Sequence, residues 1–582
     1  MKHVISVLLI LSGWLGLGGR WGAGVEGAEI PSPSAGSYAQ VLTIPSLNLR
    51  VLTCPGCTAR AAQAGTVVVT LHQHTGNNYG VLALVPRPVD APRAGFVYVL
   101  SFESRFLPAA AGQKGQLGLG LCDGRGWGPV QSAIAVMGAE KAATWTRFQG
   151  TYEPLPDTRS VQIVARIESG ATPVSGVWEI RDLRLEARSL PPVVSAAELT
   201  KLKKIIVPAQ QRQDAPPVLR GFNIGGVDRG TRHDRAFFED ARKWGARLVR
   251  LSLDPGAIAR DQHQEVWSIW PQILDDVVKE VQNAHAAGIQ VVLVLSNPPL
   301  ANASVAHNSS DLWKQPDLES VFCRVWKDLA QRLLPYHDAI YGYDLYNEPV
   351  DPAQMGPPRQ WRPIALQIIR TIRAVDPKVW IIYEPGPWGD PAGFTNLVPL
   401  PDPRVIYSFH FYEPHAFTHQ GVYDTVNTDL AHALTKINVH YPGVIDGKEW
   451  NKAALAACLA PIDRFQQEWG VPIFAGEFSA VRWAPDGDAA QWLADVTSLL
   501  NQRHWSWCYH AFREWNGWSL EYGNTFWREG MPYPKPVTYE TRRAKVIKAA
   551  LRDDRIPLGA KRRPPSPGWG IGPRPSRKGT TQ

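Results

Sequence analysis

The second half of the chain repeats one pattern, and this repetition constrains the fold more than any other feature. From residue 218 to about 552, short apolar runs alternate with stretches of helical periodicity. Eight strand–helix units fit a (β/α)8 TIM barrel, which typically has about 250 residues before insertions. An open doubly wound sheet is the alternative, but no glycine-rich phosphate loop follows the first strand. The predicted strands are 219–223, 247–253, 290–295, 340–346, 379–383, 405–412, 472–477 and 505–510. The predicted helices are 234–244, 270–287, 318–334, 361–375, 452–469 and 489–503.

The chain before the predicted barrel has a different residue pattern. In residues 36–190, β-rich runs at 67–71, 96–101, 160–167 and 177–185 are separated by glycine and proline. This pattern is typical of an all-β sandwich of short antiparallel strands, and we see no periodic helix before Ala196. A proline-containing connector, 191–217, leads to the predicted barrel domain at 218–552. The predicted chain is therefore multidomain.

The first 28 residues have the pattern of a signal peptide. Lys2 and His3 precede an apolar run at 4–17, and small residues between Ala23 and Ala28 suit cleavage. A retained anchor is the alternative. No later segment has 18 uninterrupted apolar residues, so we expect a secreted protein that has no membrane contact after signal cleavage.

The net charge of +8 is concentrated at the C-terminus. The basic, Pro/Gly-rich tail at 553–582 is predicted to be disordered. The remainder is close to neutral, which argues against a nucleic-acid partner. Residues 561–582 hold six basic residues and no acidic one: Lys561, Arg562, Arg563, Arg574, Arg577 and Lys578.

The six cysteines do not indicate a metal site. Cys54 and Cys57 have CxxC spacing, but no second CxxC or histidine pair accompanies them. A small-loop disulfide or free thiols are expected instead. His72 and His74 share a strand face without a third ligand, which favours a surface pair over a metal site.

Two strands of the predicted barrel deliver a glutamate to the same end. The fourth strand leads into Asn347-Glu348-Pro349, and the seventh ends at Glu477. Catalytic groups of TIM barrels lie at the carboxyl ends of strands. Two carboxyl groups, one protonated and one ionised, are the equipment for hydrolysis of a glycosidic bond. The excess of tryptophan, 23 residues, also hints at carbohydrate, because sugar faces stack on aromatic rings.

This arrangement resembles clan A of the glycoside hydrolases, and most closely family 5, which contains many cellulases and mannanases. The resemblance covers roughly residues 218–521 and rests on the NEP triplet, an H-x-Y strand and the strand-ending glutamate. It implies that Glu348 is the acid/base and Glu477 the nucleophile of a retaining enzyme.

Further residues match the family pattern one by one. The resemblance implies that Asn347 binds the sugar 2-hydroxyl and the nucleophile, and that Arg250 orients the nucleophile. His410 and Tyr412 match the pair on strand six, where Tyr412 reaches the nucleophile. Trp507, favoured over Trp505, is the expected platform beneath the −1 sugar. Trp515 and Trp518 are candidates to extend the cleft.

Two positions depart from a simple match. The family usually has a histidine at the end of strand three, where this chain has Ser296 or Asn297, which puts the substrate in doubt. Strand five also ends in a glutamate, Glu384, for which we expect a substrate contact or a loop role.

The N-terminal region resembles carbohydrate-binding modules of the jelly-roll type. The resemblance rests on three runs, 98–102, 145–148 and 177–183, which are mostly core-forming positions. Trp127 and Tyr79 are candidate sugar contacts, and a domain that only braces the barrel is the alternative.

The sequence therefore predicts a secreted, monomeric, retaining endo-β-1,4-glucanase that acts on polysaccharide without a cofactor or metal. A mannanase, another β-glycanase or a transglycosylase of the same family is an alternative. A non-catalytic polysaccharide-binding protein is the alternative from another class.

Overall fold

The computed structural model describes residues 38–553 with internal gaps. The stretches outside the description are 1–37, 45–46, 48–55, 63–65, 92–95, 111–112, 114–115, 123–136, 139–143, 153, 155–158, 190–193, 228–232, 301–310, 352–357, 359, 423–436, 446–447, 529 and 554–582. The predicted signal peptide, Cys54, Trp127 and nearly all of the basic tail lie outside the described residues, as does the side chain of Tyr79.

The N-terminal region is all-β and antiparallel, as predicted. Its strands are β1 (Ala39–Leu42), β2 (Cys57–Ala61), β3 (Val67–Pro86), β4 (Phe96–Pro108), β5 (Gln116–Cys122), β6 (Met137–Gly138), β7 (Thr146–Tyr152) and β8 (Ser160–Ser189). The expectation of short strands was wrong for β8, because the two predicted runs at 160–167 and 177–185 are one strand of 30 residues. β8 pairs with β1, β3, β4 and β5 and so joins the whole region.

The core of this region is one apolar cluster. Trp178 on β8 is completely buried there, and its indole N–H donates to Ser104 Oγ at 2.7 Å. Cys57, at the start of β2, is disulfide-bonded, which agrees with one of the two expectations for the CxxC cysteines.

The first helix of the described chain, α1 (Ala196–Ile205), begins where the periodicity begins. Ser195 and Glu198 form a reciprocal capping box at its N-terminus. Leu202 and Ile206 belong to the apolar cluster of the barrel, and the Ala209 N–H donates to the Gly470 carbonyl at 2.7 Å. Part of the predicted connector is therefore packed on the barrel.

Eight parallel strands close into a barrel, which confirms the predicted fold. Following the pairing, β9 (Arg220–Ile224) neighbours β10 (Leu248–Leu253), and then come β11 (Gln290–Leu295), β12 (Ile340–Asp344), β13 (Ile381–Tyr383), β14 (Val405–Phe411), β17 (Ile473–Phe478) and β18 (Ser506–Tyr509). A small hairpin, β15 (Gly443–Ile445) and β16 (Lys448–Trp450), lies outside it. The closing pair is β18 with β9.

Helices cover the barrel. They are α2 (Arg235–Trp244), α3 (Pro255–Asp261), α4 (Val266–Ala286), α5 (Leu318–Leu333), α6 (Trp361–Arg373), α7 (His415–Thr418), α8 (Lys452–Cys458), α9 (Ala460–Trp469), α10 (Asp486–Gln502) and α11 (Arg542–Leu551). The helix predicted at 452–469 is two helices, α8 and α9, and Pro461 lies in the first turn of the second. No helix among the described residues has the length and apolar character to cross a bilayer.

The two faces of the barrel strands are both apolar, as parallel strands require. One cluster fills the space between strands and helices. A smaller inner cluster includes Val292, Ile382, Ile406, Phe474 and Cys508. The polar side chains described next continue these inward rows toward the carboxyl ends of the strands.

Candidate active site

Two buried glutamates meet at the carboxyl end of the barrel. Glu477 lies within β17, and Glu348 follows β12 with a backbone φ of +52°. This conformation is costly for a residue with a Cβ, and such residues cluster at functional sites. The Glu348 N–H donates to Glu384 Oε2 at 2.9 Å, which stabilises the turn.

The two carboxyl groups are close enough to act on one bond. A carboxylate oxygen of Glu348, one of Glu477 and a ring nitrogen of His410 lie within 4.8 Å of one another. Retaining glycosidases have carboxyl groups about 5–5.5 Å apart, and inverting enzymes need about 6.5–9.5 Å to admit a water. Glu348 and Glu477 therefore lie closer together than the inverting arrangement requires.

Arg250 on β10 organises the floor of the site. Its guanidinium is buried and donates to five side chains, which fixes its plane. The shortest of these hydrogen bonds runs from Nη1 to Glu477 Oε1, at 2.6 Å. The other acceptors are Asp344 Oδ2 at 2.9 Å, Asn223 Oδ1 at 3.1 Å, Asn347 Oδ1 at 2.8 Å and Glu384 Oε1 at 2.9 Å.

Three more predicted residues lie in the same site. His410 Nδ1 is 2.7 Å from Glu348 Oε1, and Tyr412 Oη donates to Glu477 Oε2 at 2.7 Å. Asn347 accepts from Arg250 through Oδ1, so its amide nitrogen keeps both hydrogens for another acceptor. The structure thus brings together Glu348, Glu477, Arg250, Asn347, His410 and Tyr412.

Trp507 is not in the site, and this prediction was wrong. Its indole is completely buried between strand and helices, where the N–H donates to Asn501 Oδ1 on α10 at 2.8 Å and the ring packs on Phe478. Trp505 is equally buried and bonds to Gln466 on α9. Side chains of a strand alternate between faces, so both tryptophans of β18 and its flank point to the helices.

His510 takes the inward position at the end of β18. It has the same strand parity as Cys508, which belongs to the inner cluster. His510 Nδ1 lies 2.7 Å from Glu477 Oε2, and Nε2 lies 3.4 Å from Glu514 Oε2. The sequence interpretation missed this residue, because the sequence does not show which alternate residues of this strand face inward.

The two catalytic candidates have pKa values displaced in opposite directions. Burial, with the charges of Glu477 and Glu384, raises the pKa of Glu348 against the influence of His410. Burial also opposes ionisation of Glu477, but His410, His510 and Arg250 outweigh it and hold its pKa well below the usual range. The two displacements favour the acid form of Glu348 and the carboxylate form of Glu477.

Both histidines beside these carboxyls are biased toward the imidazolium. Burial lowers the pKa of each, but Glu384 and Glu477 outweigh it at His410, whose pKa lies well above the usual value. At His510, Glu477 and Glu514 outweigh burial and raise the pKa to about 10. An imidazolium carries a proton on each ring nitrogen, and in both residues Nδ1 is the nitrogen within hydrogen-bond distance of a glutamate.

Ligand atoms of Glu348, His410 and Glu477 also lie close enough together to hold a metal ion. His410 Nδ1 already faces Glu348, and its raised pKa keeps a proton on the nitrogen that a metal would need. The donor set therefore fits proton transfer better than metal binding.

Glu384 is a positioning group. It is completely buried and accepts from Arg250 and from the Glu348 N–H, while His410 Nε2 lies 3.3 Å away. Asp344, equally buried, accepts from Arg250 Nε. These contacts fit the expectation of a structural role for Glu384 more closely than a substrate contact.

The end of strand three has no histidine, as expected from the sequence. Ser296 Oγ hydrogen-bonds with Ser252 Oγ at the end of β10, and Asn297 bonds to the buried Asp254. Burial raises the pKa of Asp254. Short polar side chains therefore occupy this side of the site.

A wall of aromatic side chains lies beside Glu477. The Trp518 ring is 6.1 Å from that of Tyr412 and 6.2 Å from that of His510, and Trp515 is 5.2 Å from Trp518. Both tryptophans are mostly buried, at 3% and 7% exposure. His415 and His419 pack on Tyr412, and burial lowers the pKa of His415 to about 3.

Comparison with known proteins identifies related chains. The model of the cellulase family (glycosyl hydrolase family 5) matches residues 211–516. Endoglucanase C of Acetivibrio thermocellus is 27% identical over 213 residues, 33% of this chain and 60% of that protein. Cellodextrinase A of Ruminococcus flavefaciens is 23% identical over 299 residues, 49% of this chain and 82% of that protein. The chain thus spans 60% of the length of the endoglucanase C that it matches.

Solved structures similar to this chain include two complexes. A hyperthermophilic endo-β-1,4-glucanase in complex with substrate has a TM-score of 0.43 and 23% identity, covering 58% of this chain and 97% of that chain. Thermotoga maritima Cel5A in complex with mannotriose has a TM-score of 0.44 and 21% identity, covering 61% of this chain and 99% of that chain.

Proposed function

Because the chain belongs to glycosyl hydrolase family 5, we propose that it is a secreted retaining glycosidase, an endo-β-1,4-glucanase that acts on β-linked polysaccharide. The observation that carries the proposal is the pair Glu348 and Glu477, within 4.8 Å and with pKa values displaced in opposite directions. The names of the related proteins, endoglucanase C and cellodextrinase A, support a β-1,4-glucan as the substrate.

In the first step, an oxygen of Glu477 attacks the anomeric carbon as the glycosidic bond breaks. Glu348 gives its proton to the leaving oxygen, and a glycosyl ester of Glu477 forms. Arg250, Tyr412 and His510 fix the two oxygens of Glu477, so the attacking carboxylate needs little reorganisation.

In the second step, water replaces the leaving group. The ester no longer carries the negative charge of Glu477, so one influence that raises the pKa of Glu348 disappears. The nearby His410 favours the carboxylate form of Glu348, which then accepts a proton from the attacking water. The sugar leaves with its original anomeric configuration.

The test is hydrolysis of carboxymethylcellulose, with the fall in viscosity measured against new reducing ends. An endo-acting enzyme lowers viscosity before many ends appear, and proton NMR of the first product shows the β-anomer if configuration is retained. Substitution E348Q or E477Q should abolish both signals. Activity on mannan but not on glucan would replace the substrate, and wild-type inactivity on a panel of polysaccharides and aryl glycosides would favour a binding protein.

Secretion is part of the proposal and rests on the sequence pattern of residues 1–28. N-terminal sequencing of the protein recovered from the culture medium tests it. A mature chain that begins near Ala28 would support the proposal, and a full-length membrane-bound chain would contradict it.

A further inference from the structure

One face of the all-β region carries a ladder of charged side chains that the barrel chemistry does not use. Arg60 on β2 lies opposite Val68 on β3, Val68 lies opposite Glu179 on β8, and Glu179 lies opposite Arg105 on β4. Directly paired residues point to the same face of a sheet. Trp145 precedes β7, whose first residue pairs with the neighbour of Arg105, and so it extends this row.

A second row runs beside the first. Arg181 on β8 lies opposite Glu103 on β4, which lies opposite Arg147 on β7. The chain neighbours Trp178 and Ile180 are in the core, so the charged residues are on the solvent side of the sheet.

The charged residues and the tryptophan of the first row, with Arg181 of the second, line an open cavity of about 650 Å³. Trp145 lines it, half-buried, with the guanidinium of Arg181 4.0 Å and that of Arg105 4.7 Å from its ring centroid. Arg105 is paired with Glu179, and Arg181 with Glu103 at 2.8 Å. These ion pairs hold both arginines in place, and the two arginines in turn position the Trp145 indole.

Of the three arginines that line this cavity, Arg105 and Arg181 are neutralised by Glu179 and Glu103, so Arg60 gives the cavity its net positive charge. Arg60 is exposed and forms no ion pair within the described part of the chain. An arginine fork binds a carboxylate with two parallel hydrogen bonds, and an indole offers the apolar surface on which a pyranose ring stacks.

We propose that this face binds a carboxylate-bearing glycan, a chain that contains uronic acid. The glycan lies across the strands, with one ring against Trp145 and a carboxylate on Arg60. Four strand spacings separate these residues, about 19 Å, so the ligand is an oligosaccharide rather than a single sugar. The site belongs to the all-β region and holds whether or not the barrel hydrolyses glucan.

Isothermal titration calorimetry on the full-length E348Q chain tests the proposal with two probes of the same linkage. One is a β-1,4-linked hexamer of glucuronate, and the other is the β-1,4-linked hexamer of glucose. We expect W145A and R60M each to weaken glucuronate binding by about tenfold or more, the effect of one charge-assisted contact or stacked ring. W145Y, which keeps a ring, should restore most of the affinity.

R184M is the matched control, because Arg184 is an exposed arginine of β8 outside the cavity. It removes the same charge and should leave glucuronate affinity within about twofold. Unchanged glucuronate affinity in W145A and R60M would overturn the site. An equal loss for both hexamers would overturn the acidic ligand class. If W145A fails to fold by circular dichroism, R60M and W145Y decide. Chromatography of the mixtures detects cleavage by E348Q, so a failure of the catalytic assignment is seen separately.

Discussion

His510 Nδ1 lies 2.7 Å from Oε2 of Glu477, at the end of the eighth barrel strand. The same imidazole faces Glu514 with its other nitrogen at 3.4 Å, so a charged ring bridges two carboxylates. Together with Tyr412 Oη on the same Glu477 oxygen, and Arg250 on the other, it gives Glu477 three donors. An imidazolium therefore stands where an aromatic platform was expected.

The first prediction concerns the acidic limb of the pH profile. Activity requires ionised Glu477, whose pKa is lowered in part by His510. H510Q removes that positive charge, so the pKa of Glu477 rises and activity is lost at a higher pH as the solution is acidified. The measurement is kcat/KM against pH with a soluble aryl β-glycoside. E514Q is the control: Glu477 still holds the pKa of His510 up, so the ring stays charged at acidic pH and the acidic limb should stay close to that of the wild type. An acidic limb that stays in place in H510Q would contradict this role.

The second prediction separates nucleophile from acid. With azide, E477A should give the inverted α-glycosyl azide, because azide enters the cavity left opposite the leaving group. E348A should retain turnover of substrates with good leaving groups and give the β-glycosyl azide, because the glycosyl-enzyme still forms. NMR of the products distinguishes the anomers. Exchange of the two outcomes between the variants would reverse the assigned roles.

The third prediction follows from the burial of Trp507 behind β18. W507A should lower the free energy of unfolding by about 3–5 kcal/mol, because it empties a packed site and leaves Asn501 without its donor. W507F keeps most of the volume, so kcat/KM at a temperature where the variant is folded should stay within a few-fold. Urea unfolding and aryl glycoside kinetics check the two parts. If folded W507F loses as much kcat/KM as H510Q does, Trp507 contributes to the active site and the structural role is wrong.

How far the sequence leads is clearest at strand eight. The apolar runs and their spacing predicted the barrel, because parallel strands are buried on both faces and read as continuous apolar segments. For the same reason they could not show which residues face inward. In Trp505-Ser506-Trp507-Cys508, the residues on both faces of the strand are apolar or small. Only the contacts of Trp507 with Phe478 and Asn501 show that its side chain faces the helices.

The meeting of Glu348 and Glu477 at one end of the barrel was predictable, because each lies near the carboxyl end of an apolar strand and belongs to a short motif. The buried network beneath it was not. Glu384 looked like one more strand-ending glutamate, and its role depends on Arg250 and on the Glu348 N–H, 134 and 36 residues away in the chain. Such contacts are set by closure of the barrel and leave no local pattern in the sequence.

The last prediction concerns the basic limb of the profile. Burial and the charges of Glu477 and Glu384 raise the pKa of Glu348, so its proton is retained to a higher pH than in an ordinary glutamate. Activity falls as the pH passes that raised pKa, because the leaving oxygen then lacks a donor. The limits belong to coupled groups and are macroscopic values for the site.

In E348Q, assayed with an activated aryl glycoside that needs no acid, the basic limb should disappear from kcat/KM. E384Q removes one of the charges that raise the pKa of Glu348, so its basic limb should move to lower pH. A basic limb that persists unshifted in E348Q would assign it to another group, and Glu348 would lose its kinetic support as the acid.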